Sequence, residues 1–275
     1  MQKEQTIQRS QEQANLIDQK SQIPKSNARY VYAVCIGLND KKIDFGKGVE
    51  ESKVYALPFE DICVIVHNCS AKAYETKDNS KAKQWIIQHD NIISKALEEL
   101  GSIVPFRFDT IFKEEAQLIE FLKLNKEKFK ERLKQLEGKR EFGIKIFYKE
   151  SLRERIVKEK TKQLDAIKKE DKGKSYFLRK KVEKEIFNEL QNKLKKHFQE
   201  FYKKISIFGE IIAANIKEKD MLANFSCLVP ISKTEELGKS LGEINKLEDF
   251  SVRFTGPWPP YSFAQLQDKE QKNAA

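Results

Sequence analysis

The chain has 275 residues, of which 39% are hydrophobic, and this is enough to fill the core of one large domain or of two ordinary ones. No apolar run approaches the roughly 20 residues of a membrane-spanning helix, and the start of the chain is polar, unlike a signal peptide. Four scattered cysteines do not make a disulfide framework, so we expect a globular protein of the cytoplasm without membrane contact. The net charge of +10 leaves nucleic acid or an anionic surface open as a partner.

The two ends of the chain are predicted to be polar tails. Residues 1–27 are rich in Gln, Lys and Ser, and their few large apolar side chains cannot offset the entropy lost on ordering. We predict disorder there and at residues 267–275. The folded part is therefore expected to begin at residue 28.

Residues 28–136 have the pattern of an N-terminal α+β domain. Its strands are predicted from β-branched and aromatic runs, and its first helix from an apolar stripe that ends at Gly101. The predicted elements are strands at residues 30–36, 53–57 and 61–66, a helix at 81–100, a short strand at 103–108, and two helical stretches between 113 and 136.

Residues 137–266 have a different order of elements, which is strand, helices, strand, strand, helix, strand. The predicted elements are strands at residues 142–147, 206–213, 223–230 and 249–255, and helices at 151–167, 175–204 and 233–246. This is the order of the ferredoxin-like split βαβ arrangement. We therefore predict two α+β domains, the C-terminal one ferredoxin-like, with its first crossover enlarged into a helical hairpin at residues 150–204.

The helical hairpin carries most of the surplus positive charge. Basic and acidic residues alternate along it, as in Lys158-Glu159-Lys160, which is typical of a solvated helix face with local ion pairs. A hairpin of this length would project from the sheet and offer an apolar seam to a neighbour. The pattern thus indicates a docking arm as well as a solvated surface.

Two motifs with possible chemistry are weak. Gly173-Lys174-Ser175 resembles the end of a phosphate loop, but Lys168 stands where that loop needs glycine, so a turn between helices is favoured. Cys63, His67 and Cys69, with Cys35 on a neighbouring strand, could approach zinc, but their spacing matches no known zinc motif and buried free cysteines are common. No pattern of nucleophile and base is present, and we expect no enzyme activity, no cofactor and no metal.

The most specific segment lies near the C-terminus, at residues 252–263. Its three prolines fix φ and remove backbone donors, so the last strand is predicted to end near Gly256 and the chain to continue stiff and extended. Two interpretations of the aromatic side chains remain open: they fold back and cap the protein's own core, or they form a partner-docking surface. The candidate partner-binding residues of this segment are Trp258, Pro259, Pro260, Tyr261 and Phe263.

Residues 255–263, with the sequence TGPWPPYSF, resemble the C-terminal signature of the GvpL/GvpF gas vesicle proteins. Further similar stretches occur in the same order along residues 29–264: YVY at 30–32, VPFRFDTIF at 104–112, LEGKREFGIK at 136–145 and GKSYFL at 173–178. Asp109 stands where the family usually has glycine, and aspartate tolerates a positive φ better than most residues. The tail at residues 1–27 is not part of the family pattern.

The resemblance implies two α+β domains, the second ferredoxin-like, and a role in building the gas vesicle, a hollow protein shell. Family members are accessory or minor structural proteins thought to bind the small hydrophobic shell protein or other accessory proteins, and the resemblance supplies no catalytic residue. We therefore expect a gas vesicle assembly protein, associated with gas vesicles in the cytoplasm.

Arg107 and Arg253 lie in the two most family-like stretches, each beside a phenylalanine. They are further partner-binding candidates that could pair with acidic groups or stack on aromatic rings, or they could be structural arginines that tie strand ends together. The alternative function is a basic ferredoxin-like RNA-binding module, but the aromatic sheet pattern K/R-G-F/Y-G/A-F-V-x-F/Y is absent. Nucleic acid is therefore not the favoured partner.

Overall fold

The computed structural model describes residues 27–38, 43–168, 175–216 and 218–266. The chain divides between Gln135 and Leu136 into two compact units. The predicted tails at residues 1–27 and 267–275, apart from residue 27, lie outside the described residues, as does the predicted turn at Gly173. No helix in the described ranges is long and apolar enough to cross a bilayer.

The first unit is an antiparallel sheet with two helices. The strands are β1 (Ala28–Ile36), β2 (Tyr55–Phe59), β3 (Ile62–Cys69), β4 (Val104–Pro105) and β5 (Ile111–Phe112), and the helices are α1 (Asn79–Leu100) and α2 (Glu115–Leu136). The sheet order is β2-β3-β1-β4, and β5 also pairs with β1. The strand β1 is buried along nearly its whole length, as its apolar composition predicts.

Helix α1 has clear signals at both ends. The Asp78 side chain accepts hydrogen bonds from the backbone N–H groups of Ser80 and Lys81, which caps the start of the helix. Gly101 ends the helix with a positive φ of 75°. Most of the apolar stripe between them is buried, although Ile86 is 46% exposed, and the predicted helix at residues 81–100 agrees with the structure to within two residues.

Two predictions for the first unit were wrong. The strand expected at residues 103–108 is only the two-residue β4, because Pro105 lacks a backbone donor and the chain turns at Asp109, whose φ is 66°. The two helical stretches expected before residue 136 are one helix of 22 residues, α2. No glycine or proline interrupts α2, and its buried apolar side chains share one face; they are Leu118, Leu122, Phe129, Leu133 and Leu136.

The second unit is a four-stranded antiparallel sheet with three helices. The strands are β6 (Lys139–Tyr148), β7 (Glu210–Ala213), β8 (Met221–Pro230) and β9 (Phe250–Trp258), and the helices are α3 (Glu150–Lys168), α4 (Ser175–Ser206) and α5 (Thr234–Asn245). The order in the sheet is β7-β8-β6-β9, and every pair is antiparallel.

The core of the second unit lies between this sheet and the apolar faces of the helices. It includes Ile144, Ile146 and Phe225 from the strands and Ile156, Leu194, Phe201, Leu237 and Leu241 from the helices. Each such side chain contributes about 1.5–3 kcal/mol when it is buried. The strand predicted at 206–213 begins four residues later, because α4 continues to Ser206 and Gly209 passes so close to the Leu228 carbonyl that a side chain would not fit.

Helix α4 is much longer than the core beneath it. Its 32 residues extend about 48 Å. Leu190 and the buried residues after it pack on the core, whereas Phe187 is 60% exposed and Phe177 is 80% exposed. The N-terminal half of α4 therefore presents large aromatic side chains to solvent.

Candidate functional site

The C-terminal aromatic segment, residues 256–263, begins inside strand β9. The predicted end of the strand near Gly256 was wrong, because β9 continues through Pro257 to Trp258. An irregularity in the pairing makes this possible: Thr255 lies opposite Gly143, and Trp258 lies opposite Glu141. Since β9 is an edge strand, a proline without a backbone donor is tolerated at such a bulge.

Gly256 is required at this bulge for two reasons. Its φ is 119°, a conformation that side chains rarely adopt. A Cβ atom added here would lie 2.9 Å from both the Glu141 carbonyl oxygen and a ring carbon of Phe142. The glycine of the TGPWPPYSF stretch is thus explained by close backbone packing.

A buried carboxylate fixes the end of the segment. Glu141 is 8% exposed, and Ser262 donates to it twice: its backbone N–H lies 2.8 Å from Oε2 and its hydroxyl lies 2.6 Å from Oε1. The Ser262 hydroxyl also lies 3.1 Å from the Ser226 hydroxyl on β8. These charge-assisted bonds hold the chain against the sheet after it leaves β9.

The five predicted docking residues of this segment have different environments. Pro259 and Pro260 are buried, Tyr261 is half-buried, and Phe263 is only 3% exposed. Trp258, in contrast, is 52% exposed. Near it on the same strand, Phe254 stacks on Phe142 with ring centroids 5.2 Å apart and is also partly exposed. Most of the segment therefore packs inward, and it presents one tryptophan to solvent.

The two candidate arginines also differ. The Arg253 guanidinium lies 5.2 Å from the centroid of the Phe147 ring, and its Nη1 lies 3.7 Å from Glu218 Oε1. The Lys145 ammonium hydrogen-bonds the same carboxylate at 2.8 Å, and this bond, with the nearby Arg253, lowers the pKa of Glu218. Arg107 is exposed in a turn where its carbonyl accepts the Thr110 hydroxyl, and its side chain contacts no charged group or ring among the described residues.

Asp109 stands at a backbone position that glycine accommodates most easily. Its φ is 66°, in the left-handed region. Its side-chain Oδ1 accepts the Tyr74 backbone N–H at 3.0 Å, and its own N–H donates to the Tyr30 hydroxyl at 3.0 Å. The aspartate therefore fixes the loop after β3, which a glycine could not do.

Sequence reasoning missed a buried tyrosine–histidine cluster in the first unit, formed by Tyr30, Tyr32, His67, Tyr74 and His89. The Tyr32 hydroxyl lies 2.8 Å from His67 Nδ1, and the Tyr74 hydroxyl lies 3.0 Å from His67 Nε2. The Tyr30 hydroxyl lies 2.9 Å from His89 Nδ1, whose Nε2 lies 3.2 Å from the Phe106 carbonyl oxygen. The sequence contains one indication of the cluster: Tyr30 and Tyr32 are two residues apart in β1, so their side chains lie on the same face of the sheet.

His67, the histidine of the weak zinc pattern, belongs to this cluster and is a hydrogen-bond partner of tyrosines. Both ring nitrogens of His67 are engaged by tyrosine hydroxyls, and burial lowers its pKa to about 4. Cys35 and Cys63 lie side by side as free thiols with their sulfurs 2.6 Å apart. Within the described ranges no group of three or more His, Cys, Asp or Glu side chains is placed to hold a metal ion.

The fold defines an α+β protein with two antiparallel sheets. Its most specific sequence motif, the C-terminal aromatic segment, begins in the last strand of the second sheet and exposes Trp258. The chain belongs to the gas vesicle synthesis protein GvpL/GvpF family, whose model matches residues 28–265. Its relatives are gas vesicle proteins, and this supports a role in gas vesicle formation.

Several relatives are similar over most of their length. Gas vesicle protein L of Haloferax mediterranei is 28% identical over 79% of this chain and 72% of its own. Gas vesicle protein L1 of Halobacterium salinarum is 25% identical over 87% of this chain and 91% of its own. The crystal structure of GvpF from an Anabaena species has a TM-score of 0.70 at 20% identity and covers 88% of this chain and all (100%) of its own, which establishes a common fold.

Proposed function

We propose that this protein assists gas vesicle formation by binding other gas vesicle proteins, either the small hydrophobic shell protein or other accessory proteins, through the surface around Trp258. The observation that carries this proposal is the half-exposed indole on a backbone that cannot move freely. Pro257, Pro259 and Pro260 restrict the chain on both sides of it, and Glu141 fixes the segment end. Preorganised aromatic side chains lose little entropy on binding, and tryptophan is enriched at binding hot spots.

The helical hairpin is a second proposed contact surface. Phe187 on α4 and Val157 on α3 are exposed beyond the residues that pack on the core. The many lysines between them keep the hairpin soluble and would favour partners with acidic flanks. This agrees with the docking arm expected from the sequence.

We also propose the finer description of the fold. Residues 28–136 form an N-terminal domain, and residues 137–266 form a ferredoxin-like domain with the hairpin at 150–204. Support comes from the sheet order β7-β8-β6-β9, in which β6 and β8 are the central strands. One helical crossover leads from β6 past β8 to the edge strand β7, and the other leads from β8 past β6 to the edge strand β9. The role is proposed to be non-enzymatic and to need neither cofactor nor metal, at gas vesicles in the cytoplasm, in keeping with the family.

The test is co-expression with the small shell protein, followed by affinity capture and size-exclusion chromatography. Trp258→Ala is expected to reduce capture about tenfold or more, because loss of a hot-spot tryptophan commonly costs at least about 2 kcal/mol. Leu124→Ala is the matched control, since Leu124 is a large hydrophobic residue, 74% exposed, in the first unit. Equal capture by Trp258→Ala, Leu124→Ala and the natural protein would contradict the proposed surface.

The alternative RNA-binding role has weaker support. Ferredoxin-like RNA-binding modules stack bases on aromatic side chains of the two central strands. On the central strand β8, the positions that alternate with the core residues Ala223, Phe225 and Cys227 include Asn224 and Ser226, and the latter contacts Ser262. On the central strand β6, Phe147 alternates with core residues, but the Arg253 guanidinium lies 5.2 Å from the centroid of its ring. Salt-sensitive binding of RNA in the same capture experiment would favour this role instead.

A further inference from the structure

A cavity of about 910 Å³ lies in the first unit beside the tyrosine–histidine cluster. The side chains that matter for its chemistry are Arg29, Asn68, Lys72, Tyr74, Lys81 and Trp85. Its size is in the range of pockets that hold small molecules or short peptide segments. None of the partner-binding candidates named above lines it.

Three hydrogen-bond donors on this cavity have no acceptor among the described residues. Arg29 uses its two terminal nitrogens for Glu115 and for the Ala28 carbonyl, but its Nε is buried and unpartnered. Trp85 is 5% exposed, and its indole N–H makes no hydrogen bond within the described part of the chain. Of the three, Arg29 Nε is the donor that is buried without a partner, and such a donor costs about 1–3 kcal/mol, so a native structure seldom keeps one beside a cavity without a use for it.

The third donor is the Tyr74 hydroxyl. Tyr32 accepts the Val49 N–H, so its own hydroxyl donates to His67 Nδ1 in the arrangement that leaves no buried group unpaired. His67 Nε2–H then donates to the Tyr74 oxygen. The Tyr74 hydroxyl hydrogen therefore remains available, and Tyr74 itself is held by this bond and by Asp109.

The charges around the cavity favour an anion. Arg29, Lys72 and Lys81 line it together with two carboxylates, Glu50 and Glu75. Lys81 lies 4.8 Å above the Trp85 ring and 3.4 Å from Glu50, but both ends of this ion pair are about half exposed, so an incoming carboxylate can replace Glu50 at little cost.

Asn68 adds a donor suited to a polypeptide. Its Oδ1 accepts the Tyr55 hydroxyl at 2.5 Å, which leaves its amide N–H groups for another acceptor. A backbone carbonyl of a bound peptide is such an acceptor. The volume of the cavity is also far larger than one carboxylate needs.

We propose that this cavity binds an acidic segment of a protein partner, with one carboxylate received by Trp85, Tyr74 and Lys81. The site is separate from the Trp258 surface and goes beyond the proposed function, because it assigns a second contact of defined chemistry to the first unit. The proposal predicts selectivity for glutamate or aspartate over their amides, since the amides lack the negative charge that Lys81 and Arg29 attract.

The experiment uses the full chain with Trp258→Phe, which leaves Trp85 as the one tryptophan of the two in the sequence. The probes are an alternating alanine–glutamate pentapeptide with blocked ends and its alanine–glutamine counterpart, titrated at constant ionic strength. We expect a saturable change in Trp85 fluorescence with the glutamate peptide and none with the glutamine peptide. Equal responses to both, or no response to either, would overturn the proposal.

Two charge variants sharpen the test. Lys81→Met is expected to weaken binding of the glutamate peptide about tenfold, because it removes a charge-assisted hydrogen bond. Lys47→Met is the matched control, since Lys47 is a well-exposed lysine that does not line the cavity. Equal effects of the two variants would show a non-specific charge attraction, and competition by inorganic phosphate at similar affinity would show a general anion site; either result would reject the acidic peptide.

Discussion

The C-terminal aromatic segment and the tyrosine–histidine cluster are both buried arrangements of polar and aromatic groups, but their residues are distributed differently along the chain. The segment is nearly continuous, and its main long-range partner is Glu141. The cluster draws its residues from β1, β3, the loop after β3 and α1. A continuous arrangement leaves a motif that can be recognised in the sequence, whereas a dispersed one does not.

The comparison also separates two uses of burial. In the segment, buried groups hold one exposed residue, Trp258, in a fixed position. In the cluster, buried histidines are kept neutral and serve as hydrogen-bond partners for tyrosines. The first arrangement should therefore respond most to the loss of packing, and the second to protonation.

The largest effect is expected from Phe263→Ala. Phe263 is 3% exposed, and truncation of a buried phenylalanine commonly costs about 3–5 kcal/mol. Urea denaturation followed by circular dichroism measures the change in the free energy of unfolding. Trp258→Ala is the matched control, because its side chain is half exposed and its loss should cost less than about 1 kcal/mol. Similar losses in both variants would show that the segment does not divide into inward and outward residues.

A somewhat smaller effect is expected from pH. Burial lowers the pKa of His67 to about 4, and an unfolded histidine titrates near 6.5, so the unfolded state binds more protons between these values. Stability should therefore fall as the pH drops from about 6.5 to about 4, by roughly 3 kcal/mol for this residue. Burial shifts the pKa of His89 in the same direction and adds to the loss.

The measurement is urea denaturation at a series of pH values in the Trp258→Phe variant, with Trp85 emission as the reporter of the first unit. His67→Gln in the same background removes one titrating group and should make the fall with acid clearly shallower. An unchanged slope in that variant would mean that His67 is not kept neutral by folding.

Much of the fold could be predicted because local patterns decide it. Strand β1, helix α1 and the central strands β6 and β8 carry apolar runs or stripes with a glycine or proline at one end, and the structure places them within a few residues of their predicted ends. The wrong predictions fall where contacts between residues far apart in the chain determine where an element ends. Strand β9 passes Gly256 because of its pairing with β6, and α4 continues to Ser206 because Ile205 and Phe208 are buried.

The candidate sites follow the same rule. The glycine and prolines at 256–260 identified the aromatic segment, but sequence could not tell that Phe263 points inward while Trp258 stays exposed. Arg253 could be expected to contact a carboxylate or a ring, yet its partners Glu218 and Phe147 lie far away in the chain. The sequence suggested His67 as a metal ligand because it does not show which groups occupy the ring nitrogens. Tyr32 and Tyr74, which occupy them, come from β1 and from the loop after β3.

The smallest effect, and the sharpest comparison between the two regions, is expected from Tyr74→Phe. This change keeps the ring, which packs edge-on against Tyr30 and Trp85, and removes only the hydroxyl that accepts from His67 Nε2–H. A buried donor left unpaired costs about 1–3 kcal/mol, and we expect a loss of about 1 kcal/mol because Tyr74 is only half buried and water can reach its position. Tyr55→Phe is the control, since its hydroxyl bonds an exposed asparagine outside the cluster and its loss should change stability by less than about 0.5 kcal/mol. If Tyr74→Phe were as stable as Tyr55→Phe at pH 7.5, the bond between His67 and Tyr74 would not hold the loop after β3, and the dispersed cluster would depend on ring packing alone.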